Sequence, residues 1–175
     1  MCKCMSKETH FVYAQNGWNG EVFVGLMANK MTIIENDLDY ETYVALRKAV
    51  GWKNFCREQV EKAINHSYYS VVIRENGDSI AMGRIIGDGL YFTIVDVVVR
   101  PDYQGKGIGT LIIQKLMEHI EQRVPIGGRV SIQLISEKGK EDFYVKQGFK
   151  LIPHENCGSA LRKVICKFKN TEEVG

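Results

Sequence analysis

The sequence predicts one α/β domain, and three observations support this prediction. Segments rich in β-branched residues alternate with segments whose apolar residues recur at helical spacing, an Asn-Gly step joins two of the β-rich segments, and a glycine-rich loop separates a β-rich segment from an amphipathic helix. The chain has 175 residues, of which 45% are hydrophobic and 25% charged. These values suit one domain with a sizeable core and leave little room for a second.

The predicted domain begins at Met31, after an extension (1–30) that is polar and rich in turn residues. Asn-Gly steps at 16–17 and 19–20 lie between two short apolar runs and favour a hairpin, although an isolated two-stranded hairpin is only marginally stable in water. We therefore expect the extension to be mobile or a marginal hairpin. The domain is expected to span 31–167, with a tail over 168–175.

The first elements are a strand and two helices. The strand is predicted over 32–35, and Asp37 or Asp39 is suited to cap the helix that follows. That helix has one apolar face, formed by Tyr43, Leu46 and Val50. The second helix is predicted over about 54–65, with an apolar face formed by Cys56, Val60, Ala63 and Ile64. This spacing predicts that Cys56 is buried in the core.

Three strands come next. The first two are predicted over 67–75 and 79–86, and the Asn76-Gly77 step between them is typical of a type I′ hairpin. Residues 87–89 turn the chain again. Tyr91–Val99 is nearly continuous in β-forming residues, as expected for a central strand covered on both faces.

The last part of the predicted domain holds two helices and three strands. The first helix has a buried face formed by Leu111, Ile112, Leu116 and Ile120, and Pro125 is expected to end it after Val124. A short helix is expected over 142–147, with Gly148 ending it in the left-handed region. The strands are predicted over 130–135, 149–152 and 160–167, which makes the order β-α-α-β-β-β-α-β-α-β-β.

The loop from Gln104 to Gly109 carries the clearest chemical signal. It connects a strand to a helix, where unpaired backbone N–H groups and the helix dipole favour an anion that carries phosphate, and its glycines allow close approach. A dinucleotide-binding fingerprint would need a third glycine where Thr110 or Ile112 stands, and no Gly-Lys-Ser/Thr sequence ends the loop as in a Walker A motif. The loop therefore predicts a different kind of phosphate site.

Two motifs resemble those of the GNAT acetyltransferases. Gln104-x-x-Gly107-x-Gly109, which follows Val-Val-Val-Arg-Pro at 97–101, resembles their Q/R-x-x-G-x-G/A acyl-CoA pyrophosphate motif, and Phe-Tyr-Val-Lys-Gln-Gly-Phe at 143–149 resembles their later F-Y-x-x-x-G-F segment. The motifs lie about 35 residues apart on opposite sides of a predicted strand, as in that family. The resemblance covers 31–167 and implies a mixed, mostly antiparallel central sheet flanked by helices on both faces.

The resemblance implies acetyl-CoA as cosubstrate and no metal. The backbone of the loop would bind the pyrophosphate, through Gln104, Gly105, Lys106, Gly107, Ile108, Gly109 and Thr110. The main chain of Val97, Val98 and Val99 would pair with the pantetheine arm.

Acetyl transfer from a thioester to an amine needs a neutral amine, a polarised carbonyl and a protonated leaving thiol. By resemblance, Tyr144 is expected to be the general acid for the CoA thiolate, and a backbone N–H of 97–99 is expected to polarise the carbonyl. Asp96 is the candidate base, because an aspartate inside an apolar strand must find a partner or shift its pKa upward. The alternative for Asp96 is a hydrogen-bonded structural or substrate-anchoring carboxylate.

The resemblance places the acceptor pocket beside the first two helices and the late strands. Tyr40, Tyr43 and Trp52 are the aromatic candidates there, with core packing as the alternative. A small-molecule primary amine is the expected acceptor; a protein lysine or N-terminus, or a non-catalytic acyl-CoA-binding module, stays open. The formal net charge is +2 and the basic residues are scattered, so neither nucleic acid nor a membrane surface is an expected partner, and a homodimer is left open.

The sequence also bears on the location of the protein. No segment approaches the ~20 apolar residues of a membrane helix, and the first residues lack the apolar region of a secretory signal. The five cysteines are an odd number without disulfide-like spacing, and Cys2 and Cys4 have no second pair at zinc-site spacing. We therefore expect a cytoplasmic protein with reduced thiols.

Overall fold

The computed structural model describes residues 31–166. The predicted extension (1–30), the tail (168–175) and Lys167 lie outside the described residues. The chain divides into two compact units, the first ending at Ile135 and the second beginning at Ser136.

The described part of the first unit, residues 31–135, is built on a five-stranded sheet with three helices. The strands, which lie in sequence order across the sheet, are β1 (Met31–Glu35), β2 (Tyr69–Glu75), β3 (Asp78–Gly87), β4 (Tyr91–Val99) and β5 (Ser131–Leu134). The helices are α1 (Tyr40–Ala49), α2 (Arg57–Asn65) and α3 (Ile108–Glu121). β1 to β4 pair antiparallel and β5 pairs parallel to β4. The predicted mixed, mostly antiparallel sheet is confirmed.

Helices cover both faces of this sheet. α1 and α2 contribute Leu46 and Val60 to a buried cluster that also contains Met82 of β3. The next residue along β3, Gly83, points to the opposite face, because side chains alternate along a strand. On that face the α-carbon of Gly83 lies so close to α3 that a Cβ there would be 2.5 Å from Cγ2 of Ile112. The apolar periodicity of the helices therefore places each of them against the sheet.

Local signals in the sequence set several element ends. Asp39 caps α1, since its Oδ1 accepts a hydrogen bond of 2.7 Å from the backbone N–H of Thr42. Asn76 and Gly77 have φ values of 51° and 92°, as a type I′ turn between β2 and β3 requires. Both predictions are confirmed. No helix among residues 31–166 has the length and apolar character to span a membrane.

The burial predicted for Cys56 is wrong. α2 begins at Arg57, so Cys56 is the residue that precedes the helix, and it is exposed. Its Sγ contacts Oε1 of Gln59 at 3.2 Å. Helical spacing predicts a shared face only for residues inside the helix, and the helix starts later than the sequence pattern suggested.

The second unit contains α4 (Glu141–Val145), after which Gly148 adopts the predicted left-handed conformation with φ 91°. The strands predicted over 149–152 and 160–167 are wrong, because residues 149–166 form no strand and only an isolated bridge joins His154 to Cys157. Their apolar side chains are largely exposed, with Leu161 at 95%. β-propensity expresses packing against neighbouring strands, so these segments lack what their composition needs to form strands.

Candidate active site

β4 carries a bulge in its middle. Two of its residues, Asp96 and Val97, lie opposite the single residue Gly83 of β3, so the register shifts there. Asp96 adopts a φ of 52°, in the left-handed region that few residues other than glycine, asparagine and aspartate enter. The bulge therefore changes the direction of the backbone in the middle of β4.

Beyond Ile94 the outer edge of β4 is open within residues 31–135. β5 pairs with β4 only along Tyr91 to Ile94, in register with Ser131 to Leu134. Among residues 31–135, no strand continues this ladder along 95–99 on that side. The main chain of 95–99 is therefore an edge to which an extended ligand can add hydrogen bonds, as an added strand would.

The glycine loop follows directly from the end of β4. After a short 3₁₀ turn (Pro101–Tyr103), the side chain of Gln104 turns back, and its Nε2 donates a hydrogen bond of 3.0 Å to the carbonyl of Val99. Gly105 and Gly107 have φ values of 74° and 82°, which glycine adopts without steric cost. The glutamine of the motif thus ties the loop to β4, while its glycines set the turn.

The N-terminus of α3 lies at the end of this loop and is suited to an anion. Gly107 precedes the helix and provides no side-chain cap, and the first turn contains no acidic residue. The helix dipole is therefore not offset by a carboxylate at this end. A Cβ at Gly105 or Gly107 would meet no atom within 4 Å, so there is open space beside both. These residues fit a pyrophosphate, and the open edge of β4 fits the extended pantetheine arm.

Asp96 is held by two arginines. Arg84 approaches its Oδ2 with Nε at 3.0 Å and Nη2 at 2.7 Å, and Nη1 of Arg47 lies 2.6 Å from Oδ1. The hydroxyl of Tyr43 donates to the same Oδ1 at 3.2 Å. The side chains of Asp96, Arg47 and Arg84 are 9%, 10% and 6% exposed. Of the two outcomes open to a carboxylate in an apolar strand, the structure shows the partnered one. The role of Asp96 as a base stays a prediction.

Both arginines are anchored at a second point. Arg84 donates through Nη1 to the carbonyl of Ala63 at 2.9 Å and to Oγ of Ser67 at 2.8 Å. Arg47 donates through Nη2 to the carbonyl of Lys53 at 2.8 Å. Asp96, Arg47 and Arg84, which we call the Asp96 cluster, thus connect α1, β3, β4, α2 and the segments on either side of α2.

The sequence reasoning missed both arginines of the Asp96 cluster. Arg84 is the one charged residue between Ile80 and Gly87 of β3, and Arg47 follows Leu46 on the buried side of α1. A charged residue in such a position needs a buried partner of opposite charge. That signal could have paired Arg84 and Arg47 with Asp96, the lone carboxylate of β4.

Two of the three predicted acceptor residues lie around Arg47. Its guanidinium carbon is 5.3 Å from the ring centre of Tyr43 and 5.0 Å from that of Trp52. Tyr43 is buried, and this burial, with the negative charge of Asp96, raises the pKa of Tyr43. Tyr40 instead packs on Arg57, whose guanidinium carbon is 4.3 Å from the ring centre of Tyr40. The structure brings Tyr43 and Trp52 together, and their contact with an acceptor stays a prediction.

Tyr144 belongs to the second unit. It lies in α4, partly buried, with its ring centre 4.9 Å from that of Phe143 and 6.2 Å from that of Phe149. Burial, followed by the charge of Glu137, raises the pKa of Tyr144 above its ordinary value. The phenol therefore keeps its proton at neutral pH, as a proton donor must. Its role as general acid stays a prediction.

Metal-ligating side chains do not cluster in the described part of the chain. Among residues 31–166, no group of three histidine, cysteine, aspartate or glutamate side chains is placed to hold a metal ion.

Comparison with known proteins identifies relatives. A serotonin N-acetyltransferase 2, chloroplastic, of Oryza sativa is 30% identical over 129 residues, covering 70% of this chain and 62% of the relative. An uncharacterized N-acetyltransferase ycf52 of Porphyra purpurea is 32% identical over 107 residues, covering 58% of this chain and 59% of the relative. A Glycine max protein named histone acetyltransferase TAP1 is 33% identical, covering 67% of this chain and 54% of the relative. The chain thus spans about six tenths, or less, of these relatives.

Solved structures share the fold. A crystal structure from meticillin-resistant Staphylococcus aureus, described as a probable acetyltransferase of unknown function, is 30% identical with a TM-score of 0.67, covering 77% of this chain and 100% of that one. A GNAT-family acetyltransferase from Streptococcus pneumoniae has a TM-score of 0.65 at 24% identity, covering 77% of this chain and 98% of that one. A family model described as an acetyltransferase (GNAT) domain matches residues 36–164. The chain therefore belongs to the GNAT acetyltransferase family.

Proposed function

We propose that this protein is an N-acetyltransferase that moves the acetyl group of acetyl-CoA to a small-molecule primary amine. The observation that carries the proposal is the open edge of β4 beyond Ile94, which leads directly into a glycine loop and the uncapped N-terminus of α3. An extended arm followed by a pyrophosphate is the ligand that matches this sequence of features.

The cofactor is proposed to lie along β4 and the loop. Backbone amides from Gln104 to Thr110 bind the pyrophosphate, where the helix dipole is not offset by an acidic residue. The main chain of 97–99 pairs with the pantetheine arm. The hydrogen bond from Gln104 to Val99 supports this arrangement, because it holds the loop at the end of the strand.

The chemical step is proposed to be direct attack of the neutral amine on the thioester carbonyl. Backbone N–H groups at the bulge stabilise the negative charge that develops on the carbonyl oxygen. Tyr144 then gives its proton to the thiolate that leaves as the C–S bond breaks, while the attacking nitrogen releases a proton to solvent, from which Tyr144 is reprotonated. The raised pKa of Tyr144 keeps the phenol protonated until that step. For Asp96 we favour the structural alternative, because both carboxylate oxygens are already bonded to guanidinium groups.

The acceptor is proposed to be a small amine with an aromatic or apolar part. The partly exposed ring of Trp52 beside Arg47 supports this choice, as does the rice relative named for serotonin acetylation. The soybean relative named as a histone acetyltransferase supports the alternative, a protein lysine. A cytoplasmic location remains part of the proposal, although relatives from rice and Arabidopsis are named as chloroplastic.

The test is an acetylation assay on the purified protein that monitors free thiol release from acetyl-CoA. The panel contains arylalkylamines, polyamines, amino sugars and a lysine-containing histone peptide. Release with an arylalkylamine, confirmed by mass spectrometry of the acetylated product, is the expected result. Turnover with the peptide alone favours the protein-lysine alternative. Binding of acetyl-CoA without turnover of any acceptor indicates an acyl-CoA-binding module instead.

A further inference from the structure

The bulge of β4 has an unfavourable backbone conformation that needs support. Its first residue, Asp96, has a φ of 52°, at a bulge position where glycine is the usual residue. A non-glycine residue stays in the left-handed region only when its surroundings hold it there. The support for this conformation must therefore come from the contacts of Asp96.

Those contacts come from two directions. Arg84 binds Oδ2 from the neighbouring strand β3, and Arg47 binds Oδ1 from α1. Each guanidinium is fixed at its other end by a backbone carbonyl, that of Ala63 for Arg84 and that of Lys53 for Arg47. The carboxylate of Asp96 is thus bound by two guanidinium groups, each of which is fixed by a backbone carbonyl.

We propose that Arg47 and Arg84 are positioning residues that fix the bulge of β4 through Asp96. The inference rests on the proposed function, in which the N–H groups just after the bulge polarise the thioester carbonyl. The direction of those N–H groups follows from the backbone of Asp96, which the two arginines hold. Neither arginine needs to touch the substrate.

The composition of the Asp96 cluster favours this role over simple stabilisation. Two guanidiniums share one carboxylate, and Nε of Arg47 is buried without a hydrogen-bond partner among the described residues. A buried charged cluster of this kind contributes little stability compared with apolar packing. Its geometry, in contrast, matters for catalysis, because loss or displacement of a carbonyl-polarising donor reduces the rate on the order of 10²-fold.

The test uses variants of Arg84 and Asp96, with Arg74 as a control. Arg84→Met removes the two-point contact with Asp96, and Arg84→Lys keeps the charge without the planar fork. Arg74→Met changes an arginine of β2 that donates through Nε to Oγ of Ser79 and whose Nη2 lies 3.9 Å from Oδ2 of Asp39. For each variant, kcat, KM and the acetyl-CoA dissociation constant are measured. The ¹³C chemical shift of the labelled acetyl carbonyl in bound acetyl-CoA reports polarisation directly.

Arg84→Met is expected to lower kcat on the order of 10²-fold, with the dissociation constant within about threefold of wild type. The carbonyl signal should move toward that of free acetyl-CoA. Arg84→Lys should recover part of the lost kcat and part of the shift in the carbonyl signal. Arg74→Met should change neither kcat nor the carbonyl signal. The double variant Arg84→Met with Asp96→Asn should be little worse than Asp96→Asn alone, because the two residues act as one unit.

Three results would overturn the inference. The first is a folded Arg84→Met variant whose kcat and carbonyl signal are unchanged, and the second is a double variant in which the two losses of kcat add. The third is a loss of kcat confined to Asp96→Asn, which would identify Asp96 as a base. If Arg84→Met does not fold, Arg47→Met provides the same test, because in that variant the ion pair between Asp96 and Arg84 is retained. Failure of the wild-type protein to bind acetyl-CoA would overturn the proposed function itself. The two failures are therefore distinguishable.

Discussion

The two halves of β4 differ in their partners. From Tyr91 to Ile94 the strand is paired on one side with β3 and on the other with β5. From 95 to 99 it keeps β3, contains the bulge, and has an open outer edge among the described residues. The first half of β4 is thus a regular inner strand of the sheet, and the second half exposes backbone groups along its outer edge. The candidate binding site begins where pairing with β5 ends.

The largest expected effect concerns the loop that follows the open half. Gly107→Val should raise the acetyl-CoA dissociation constant by at least about 10²-fold, because a branched side chain at φ 82° distorts the loop and fills its open space. The dissociation constant is measured by calorimetry. Gly127→Val is a matched control, with φ 79° and equally open surroundings, and should keep normal affinity for acetyl-CoA. If Gly107→Val and Gly127→Val bind acetyl-CoA with the same dissociation constant, the proposed site is contradicted.

Tyr144 tests whether chemistry depends on a group outside β4. Tyr144→Phe should lower kcat on the order of 10²-fold and leave acetyl-CoA affinity unchanged, since protonation of the thiolate occurs late in the reaction. Tyr91→Phe, in the paired half of β4, should behave as wild type. The kinetic constants and melting temperatures of both variants are compared. Near-normal kcat in folded Tyr144→Phe would remove this residue from the mechanism.

Hydrogen exchange tests the comparison of the two halves directly. Saturating acetyl-CoA should slow amide exchange within 97–99 by about tenfold or more, because the ligand satisfies backbone groups of the open edge. Amides from Tyr91 to Ile94, which already lie between two strands, should change little. Exchange is followed residue by residue by NMR. Equal protection in both halves would mean that the ligand does not pair with β4.

The residue opposite the bulge should affect stability. Gly83→Ala places a Cβ 2.5 Å from Cγ2 of Ile112 and 3.2 Å from Cδ1 of Leu116, so α3 must shift, at a cost of about 1–3 kcal/mol. The melting temperature should fall by several degrees. Gly158→Ala, where a Cβ meets no atom within 4 Å, is the control and should be neutral. An unchanged melting temperature for Gly83→Ala would show that α3 packs more loosely on the bulge than described.

The smallest effect is expected from removing residues 1–30. A chain that begins at Met31 should keep its melting temperature and its acetyl-CoA affinity, because the pattern of predicted elements is complete from that point. Thermal unfolding and calorimetry on both chains make the comparison. A fall of several degrees, or a loss of binding, would move the domain boundary toward the N-terminus.

Several elements could be predicted from the sequence because their signals are local. Three local features were predictable because neighbouring residues set each conformation: Asp39 as the helix cap, Asn76-Gly77 as the hairpin turn, and Gly148 at the end of α4. The glycine loop belongs to the same class. Its candidate ligand groups are backbone amides at a helix N-terminus, and their arrangement follows from the chain nearby.

Other features depend on contacts between distant parts of the chain and could be found only in the folded protein. Asp96, Arg47 and Arg84 come from three elements, and their ion pairs exist only once α1 and β3 pack against β4. The strands predicted over 149–152 and 160–167 are wrong for the reverse reason, because within the described part of the chain their β-forming residues pair with no neighbouring strand. Charge pairing and strand formation are properties of partners, and a linear sequence does not say which partners will meet.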